Sequence, residues 1–182
     1  MSRHPNALSS PSLANRIGLR GAARRRFLAA SAGVLLAAAA ARVRAETALE
    51  RPASLRRALQ DASARGEPLV LLVSLHECPY CERVRRAYLL PLQRDARTPT
   101  AQIDIGTATP IEDVDGVVRS HDAVATRLHA RFTPSVLFLG PDGREIAERL
   151  VGEGNPDFYG GLLEQRLDGA RAALASAVKP PG

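Results

Sequence analysis

The sequence predicts an α/β domain, a mixed sheet of about four strands with helices on both faces. Three observations carry this. Residues 69–75, LVLLVSL, form an unbroken apolar run of strand length, the pattern of a strand covered on both sides. Two β-rich runs, SVLFL at 135–139 and EIAERLV at 145–151, flank the turn Gly140-Pro141-Asp142-Gly143 and read as an antiparallel hairpin. Segments of helical period lie before, between and after these runs.

Each element has its own signature. Residues 54–64 place Leu55, Ala58, Leu59 and Ala62 on one helical face, with Gly66 and Pro68 ending the helix. The apolar strand 69–75 follows. Residues 82–90 read as helix, with Val84, Ala87, Tyr88 and Leu92 inward and Pro91 kinking or ending it. AQIDI at 101–105 is a second strand. Residues 106–119, with Gly106, Pro110, Asp113, Asp115 and Gly116, read mostly as loop. A short helix over 121–130 points Val124, Leu128 and His129 to one side. Asn155 and Pro156 then cap and open a last helix, with a stripe of Tyr159, Leu162, Leu163, Leu167, Ala170 and Leu174.

The N-terminal 45 residues are different in kind. They hold eight arginines and no acid. Arg24-Arg25-Arg26 precede an apolar, Ala-rich run at 27–41, and Ala45 closes a small-residue cleavage site. This is the layout of an export signal, too short and weakly apolar for a comfortable membrane span. The paired arginines before Phe27-Leu28 resemble a twin-arginine address. The expected organisation is therefore an export signal at 1–45 and one domain at 46–182, exported to the periplasm, or tethered to the membrane if the leader is retained. All 19 acids lie after residue 45, and eight of the 25 cations lie before it. The remainder carries a net charge near −2, so the basic pI gives no reason to expect a nucleic-acid partner.

The only two cysteines, Cys78 and Cys81, sit in SLHECPYCERV directly after the apolar strand. Strand, Cys, Pro, helix is a specific geometry. Cys78 would cap the helix and Pro79 would be its first residue. The unpaired N–H groups and partial positive charge there stabilise a thiolate. Cys81 lies one turn on, on the same face. A disulfide closing so short a loop removes little chain entropy and is a poor staple. The competing reading is a copper or zinc site built from the two thiolates with His76, His121 or His129, as in a metallochaperone. Tyr80 reads as an exposed tip beside the pair. Glu77 could relay protons or raise the Cys78 pKa by repulsion. The cluster Arg83, Arg85 and Arg86 reads foremost as a solvated helix face, with support of the thiolate or an acidic partner surface as the alternative. Asp113 and Asp115 only loosely suggest calcium chemistry and are discounted.

Over roughly residues 53–175 the chain resembles the thioredoxin-like family. The carriers are LVLLVSLHECPYCERV, LHARFTPSVLFLGPDGREIAERLVG and NPDFYGGLLEQRL. The resemblance implies a thiol–disulfide oxidoreductase without dissociable cofactor or metal, in which Cys78 attacks and Cys81 resolves. It implies a cis peptide at Thr133-Pro134 facing the pair, with the Thr133 backbone, Pro134, Pro79 and Tyr80 contacting substrate. Its implied partners are proteins carrying disulfides and a membrane thiol donor or acceptor that resets the pair. Within the family the chain looks most like exported thioredoxins of bacterial sulfur-oxidation (Sox) operons, which points to reduction; oxidative folding of the DsbA kind is the rival. Two positions depart from cytoplasmic thioredoxin: Glu77 replaces a Trp, and Leu72 replaces a buried Asp. The inner Pro-Tyr pair is the one seen in glutaredoxins, which raises a glutathione-linked reading that the export signal opposes.

Overall fold

A computed structural model describes residues 48–96 and 98–178. The expected export signal at 1–45 lies outside the described residues. Among those described, no helix is long and apolar enough to cross a membrane.

The first helix, α1 (Leu55–Ser63), starts where Ser54 accepts a hydrogen bond from the Arg57 N–H at 3.1 Å. It buries Leu55, Leu59 and Ala62. Strand β1 (Leu69–Ser74) is buried at every residue, as its apolar run requires. It pairs in parallel with β2 (Thr100–Asp104) and antiparallel with β5 (Ser135–Leu139), which pairs antiparallel with β6 (Glu145–Val151). The four-stranded order is β2-β1-β5-β6. This is the mixed sheet expected from sequence.

Alternation along β1 divides the core into two layers. Leu69, Leu71 and Val73 pack with Leu55, Leu59, Ile103, Val124 and Leu137. Val70 and Leu72 pack with Val84, Leu89, Val136, Phe138, Tyr159 and Leu163.

The helix after β1 differs from expectation. It begins at Pro79 and runs through α2 (Pro79–Val84), a π-helical turn at Arg85–Leu89 and α3 (Leu90–Asp95). The Leu90 N–H reaches the Arg85 carbonyl, five residues back. One extra residue per turn rotates the inward face. Ala87 is exposed, and Leu89 and Leu90 are buried in its stead. Pro91 neither ends nor breaks the helix. It sits in the first turn of α3, where the widened turn has already opened the hydrogen-bond ladder that a proline would disrupt.

The stretch expected as loop contains a two-stranded ribbon, β3 (Pro110–Glu112) and β4 (Val118–Ser120). Ile111, fully buried, anchors it to the first core layer. Asp113, also fully buried, accepts from Arg127 Nε and Nη2, both at 2.7 Å. Asp113 thus braces the ribbon against helix α4 (His121–Arg127). That helix is shorter than expected, because His129 takes a left-handed φ of 52°. His129 is exposed, not inward, and Arg149 caps the helix end by donating to the carbonyls of Leu128 and His129 at 2.8 and 3.0 Å. In α5 (Pro156–Val178), Asn155 accepts from the Asp157 N–H at 3.0 Å. Tyr159, Leu163, Leu167 and Ala170 are buried. Leu162, expected in the stripe, is 37% exposed.

Two outcomes follow from this packing. Leu72 lies between Gln102 and Val136 in the sheet with no exposed surface. Leu72→Ala should lower unfolding stability by about 2–5 kcal/mol, whereas Leu72→Met should cost less than about 1.5. Urea midpoints of the oxidised protein check both. The second outcome concerns His121, which is buried and accepts the Asp104 N–H at Nδ1, 3.2 Å away. Burial holds its pKa below the ordinary 6.5; the Asp104 charge opposes this and the Arg51 charge adds to it. The unfolded chain therefore binds a proton that the folded chain refuses, so stability is complete above the unfolded value and falls as pH drops below it. The urea midpoint should fall between about pH 7.5 and 5, and His121→Asn should flatten that fall. An unchanged slope in the variant would assign it to another group.

Candidate active site

β1 ends at Ser74, and residues 75–77 form an exposed turn. Glu77 adopts φ 55°, a left-handed conformation uncommon for a side chain of its size. That turn delivers Cys78 to the N-terminus of α2 in an extended conformation. Cys78 is the cap and Pro79 opens the helix, as the sequence predicts. The Cys78 sulfur accepts the Cys81 N–H at 3.1 Å. The two cysteines form a disulfide with Cα atoms 5.3 Å apart. Cys78 is half-buried and Cys81 has no exposed surface. An incoming group therefore reaches Cys78 first.

The Thr133–Pro134 peptide is cis. Val73 of β1 pairs with Ser135 of β5, so Thr133 and Pro134 extend past the same end of the sheet as the cysteines. The Ser135 hydroxyl donates to the Phe132 carbonyl at 2.7 Å and ties this turn down. Gly152 donates its N–H to the Pro134 carbonyl at 2.8 Å from a φ of 76°, a conformation glycine adopts without strain. Tyr80 and Phe132 are exposed on this side, at 54% and 75%.

On the other side of the pair, toward β2, lies a cleft of about 580 Å³, lined by Glu77, Cys78, Glu82, Arg85, Asp104 and others. Leu72 offers no carboxylate here and is fully buried. Two of the cleft's three acids, Asp104 and Glu82, are engaged by arginine. Asp104 accepts from Arg51 Nε at 2.5 Å and Gln102 Nε2 at 2.6 Å. Burial pushes its carboxyl up, but those bonds outweigh burial and hold it below the usual range. Glu82 is bound by Arg85 and Arg86. Glu77 itself is exposed, with His76 Nε2 3.9 Å away.

Of the arginine cluster, Arg83 and Arg86 lie on a largely exposed face, as expected, while Arg85 is turned inward. Arg85 donates to Gln102 Oε1 at 2.8 Å and to Glu82, and its side chain is only 16% exposed. Arg83 forms a two-pronged pair with Glu153 and stacks over Tyr80. Sequence reasoning could not find Glu153, because no local pattern links residues 70 positions apart. The same holds for Arg51 and Asp104.

The histidines of the metal reading do not converge on the sulfurs. His76 and His129 are exposed and His121 is committed to the Asp104 backbone. Among the described residues, no group of three His, Cys, Asp or Glu side chains is disposed to hold a metal ion.

A family model of the thioredoxin-like domain matches residues 55–166. No curated protein sequence matches the chain. Among solved structures, oxidised thioredoxin O2 from Arabidopsis thaliana is 18% identical, covering 66% of this chain and 96% of its own, with a TM-score of 0.47. The oxidised C-terminal domain of Neisseria meningitidis DsbD is 23% identical over 61% and 88%, with a TM-score of 0.41. A DsbH oxidoreductase is 14% identical over 67% and 87%, with a TM-score of 0.48. The family match spans more than half of the chain and takes in the whole sheet, both cysteines and the cis peptide, and the chain belongs to the thioredoxin-like domain family.

Proposed function

We propose that this protein is a thiol–disulfide oxidoreductase acting on proteins in the periplasm. The observation that carries the reading is the Cys78–Cys81 disulfide at a helix start, with the first sulfur accessible and the second buried. In the reduced form, Cys78 is the nucleophile. Helix N–H groups stabilise its thiolate, the reactive species. Its sulfur bonds one sulfur of the substrate disulfide, and the other substrate sulfur leaves as a thiolate. Cys81 then loses its proton and attacks Cys78. The second substrate thiolate is released, and the pair is left oxidised. Substrate is reduced by two electrons and the pair is oxidised by two. A membrane thiol donor returns them by the reverse exchange.

Substrate chain lies against the Thr133 backbone and Pro134, with Pro79 and Tyr80 flanking the sulfur. Glu77, exposed beside Cys78, is the candidate proton relay. The leader at 1–45, of twin-arginine type, delivers residues 46–182 to the periplasm. Reduction is the favoured direction, in a sulfur-oxidation or cytochrome-maturation setting, on the resemblance to exported thioredoxins of Sox operons.

Cys78→Ser should abolish reduction of insulin disulfides. Cys81→Ser should leave substrate attached to Cys78, visible as mixed disulfides on non-reducing gels. An active Cys78→Ser protein together with no trapping would overturn the assignment. Equilibration with glutathione and dithiothreitol sets the direction. A potential near about −270 mV identifies a reductase, and one near about −120 mV identifies an oxidant that introduces disulfides.

A further inference from the structure

Arg83 donates Nε to Glu153 Oε2 at 2.5 Å and Nη2 to Oε1 at 2.8 Å. Its Cζ lies 4.7 Å from the centroid of the Tyr80 ring. Glu153 directly follows Gly152, whose N–H holds the Pro134 carbonyl at 2.8 Å. An unbroken line of contacts therefore runs from Tyr80, between the two cysteines, through Arg83, Glu153 and Gly152 to the cis proline. A second tether follows in the chain, where Tyr88 of the π-helical turn donates to the Pro156 carbonyl at the start of α5 at 3.1 Å and packs, tilted, against Tyr159 at 4.6 Å between centroids.

A two-pronged arginine–carboxylate bond fixes the plane and direction of both groups, which a single contact does not. A guanidinium over a tyrosine face restrains that ring in turn. Arg83 is largely exposed, so the pair contributes little to fold stability. What it fixes is orientation. The hydrogen bond from Arg83 also holds the Glu153 carboxyl below its usual range, so the pair stays ionised around neutral pH.

The geometry points to Arg83 and Glu153 as positioning residues, a clasp that sets the separation between Tyr80 and Thr133–Pro134 and so the width of the groove for an extended polypeptide substrate. This rests on the proposed disulfide exchange, and it adds a specificity element: the clasp matters for substrates with a chain on both sides of the disulfide and not for small disulfides. Arg83 and Glu153 touch neither sulfur in this role.

The test uses the full-length protein with two substrates, insulin and 2-hydroxyethyl disulfide. The second has no polypeptide to fill the groove. Glu153→Gln should raise KM for insulin by about two- to fivefold, the reach of an exposed ion pair, with kcat near wild type. Its rate with 2-hydroxyethyl disulfide and its reduction potential should not move. Arg83→Met should show a similar penalty, and the double variant should be no worse than either single one, because both break one contact. Unchanged insulin KM in Glu153→Gln, even with a lowered melting temperature, would overturn the clasp. So would additive penalties, or an equal loss with both substrates, which would place the effect on the thiols. A wild-type protein inert toward both substrates would overturn the exchange reading itself, and the clasp with it.

Discussion

One strand with no exposed residue organises this molecule. β1 is covered on both faces, so each of its five apolar side chains, Leu69 to Val73, must find an apolar partner above or below the sheet. That requirement puts α1 and α4 on one face and the redox helix and α5 on the other. It also fixes the end of β1 as a rigid launching point. Cys78 follows only four residues later, and the helix it caps is held down by Val84, Leu89 and Leu90 against the same core. The accessible sulfur is thus positioned by burial some distance beneath it, not by contacts of its own.

Around the pair, charge is arranged by pairing. Leu72, which stands where cytoplasmic thioredoxin has a buried Asp, contributes packing to the second core layer and no titrating group. The carboxylates nearby are drawn to guanidinium groups: Asp104 to Arg51, Glu82 to Arg85 and Arg86, Glu153 to Arg83. At Asp104, against the push of burial, and at Glu153, the arginine bonds hold the carboxyl below its usual range, so these two serve poorly as proton stores around neutral pH. The environment of the thiols is accordingly set by the helix end and by fixed ion pairs, while Glu77 remains the solvent-facing acid next to Cys78.

Much of this was legible in the sequence, for identifiable reasons. The buried strand, the hairpin of β5 and β6, and the Cys–Pro helix start each have a local signature in apolar continuity, turn chemistry or capping. The ribbon of β3 and β4 has none. Its strands are three residues long, and one contains a proline; it exists because Ile111 and the Asp113–Arg127 pair anchor it to distant parts of the chain. The π-helical turn escaped for a related reason. A helical period of 3.6 residues assumes an unbroken ladder, and one extra residue at Arg85–Leu89 moves the inward face from Ala87 to Leu89. The two cysteines and Pro134 could be named in advance because they are chemically distinctive. Glu153 and Arg51 could not, since an acid or arginine in a loop looks the same whether it is solvated or clasped.

The disulfide contains both cysteines of the chain and spans three residues. Two sulfurs admit only one internal pairing, so this sequence has no scrambled disulfide isomer to fall into. In the proposed exchange, a mixed disulfide at Cys78 would have one intramolecular exit, through Cys81, with no third cysteine in this sequence to divert it. Opening the bond frees a single turn and leaves the sheet, the ribbon and the last helix joined only by noncovalent packing, as they already are. Making or breaking the bond touches two sulfurs within one helical turn, and no other pair of elements in the fold is cross-linked by it.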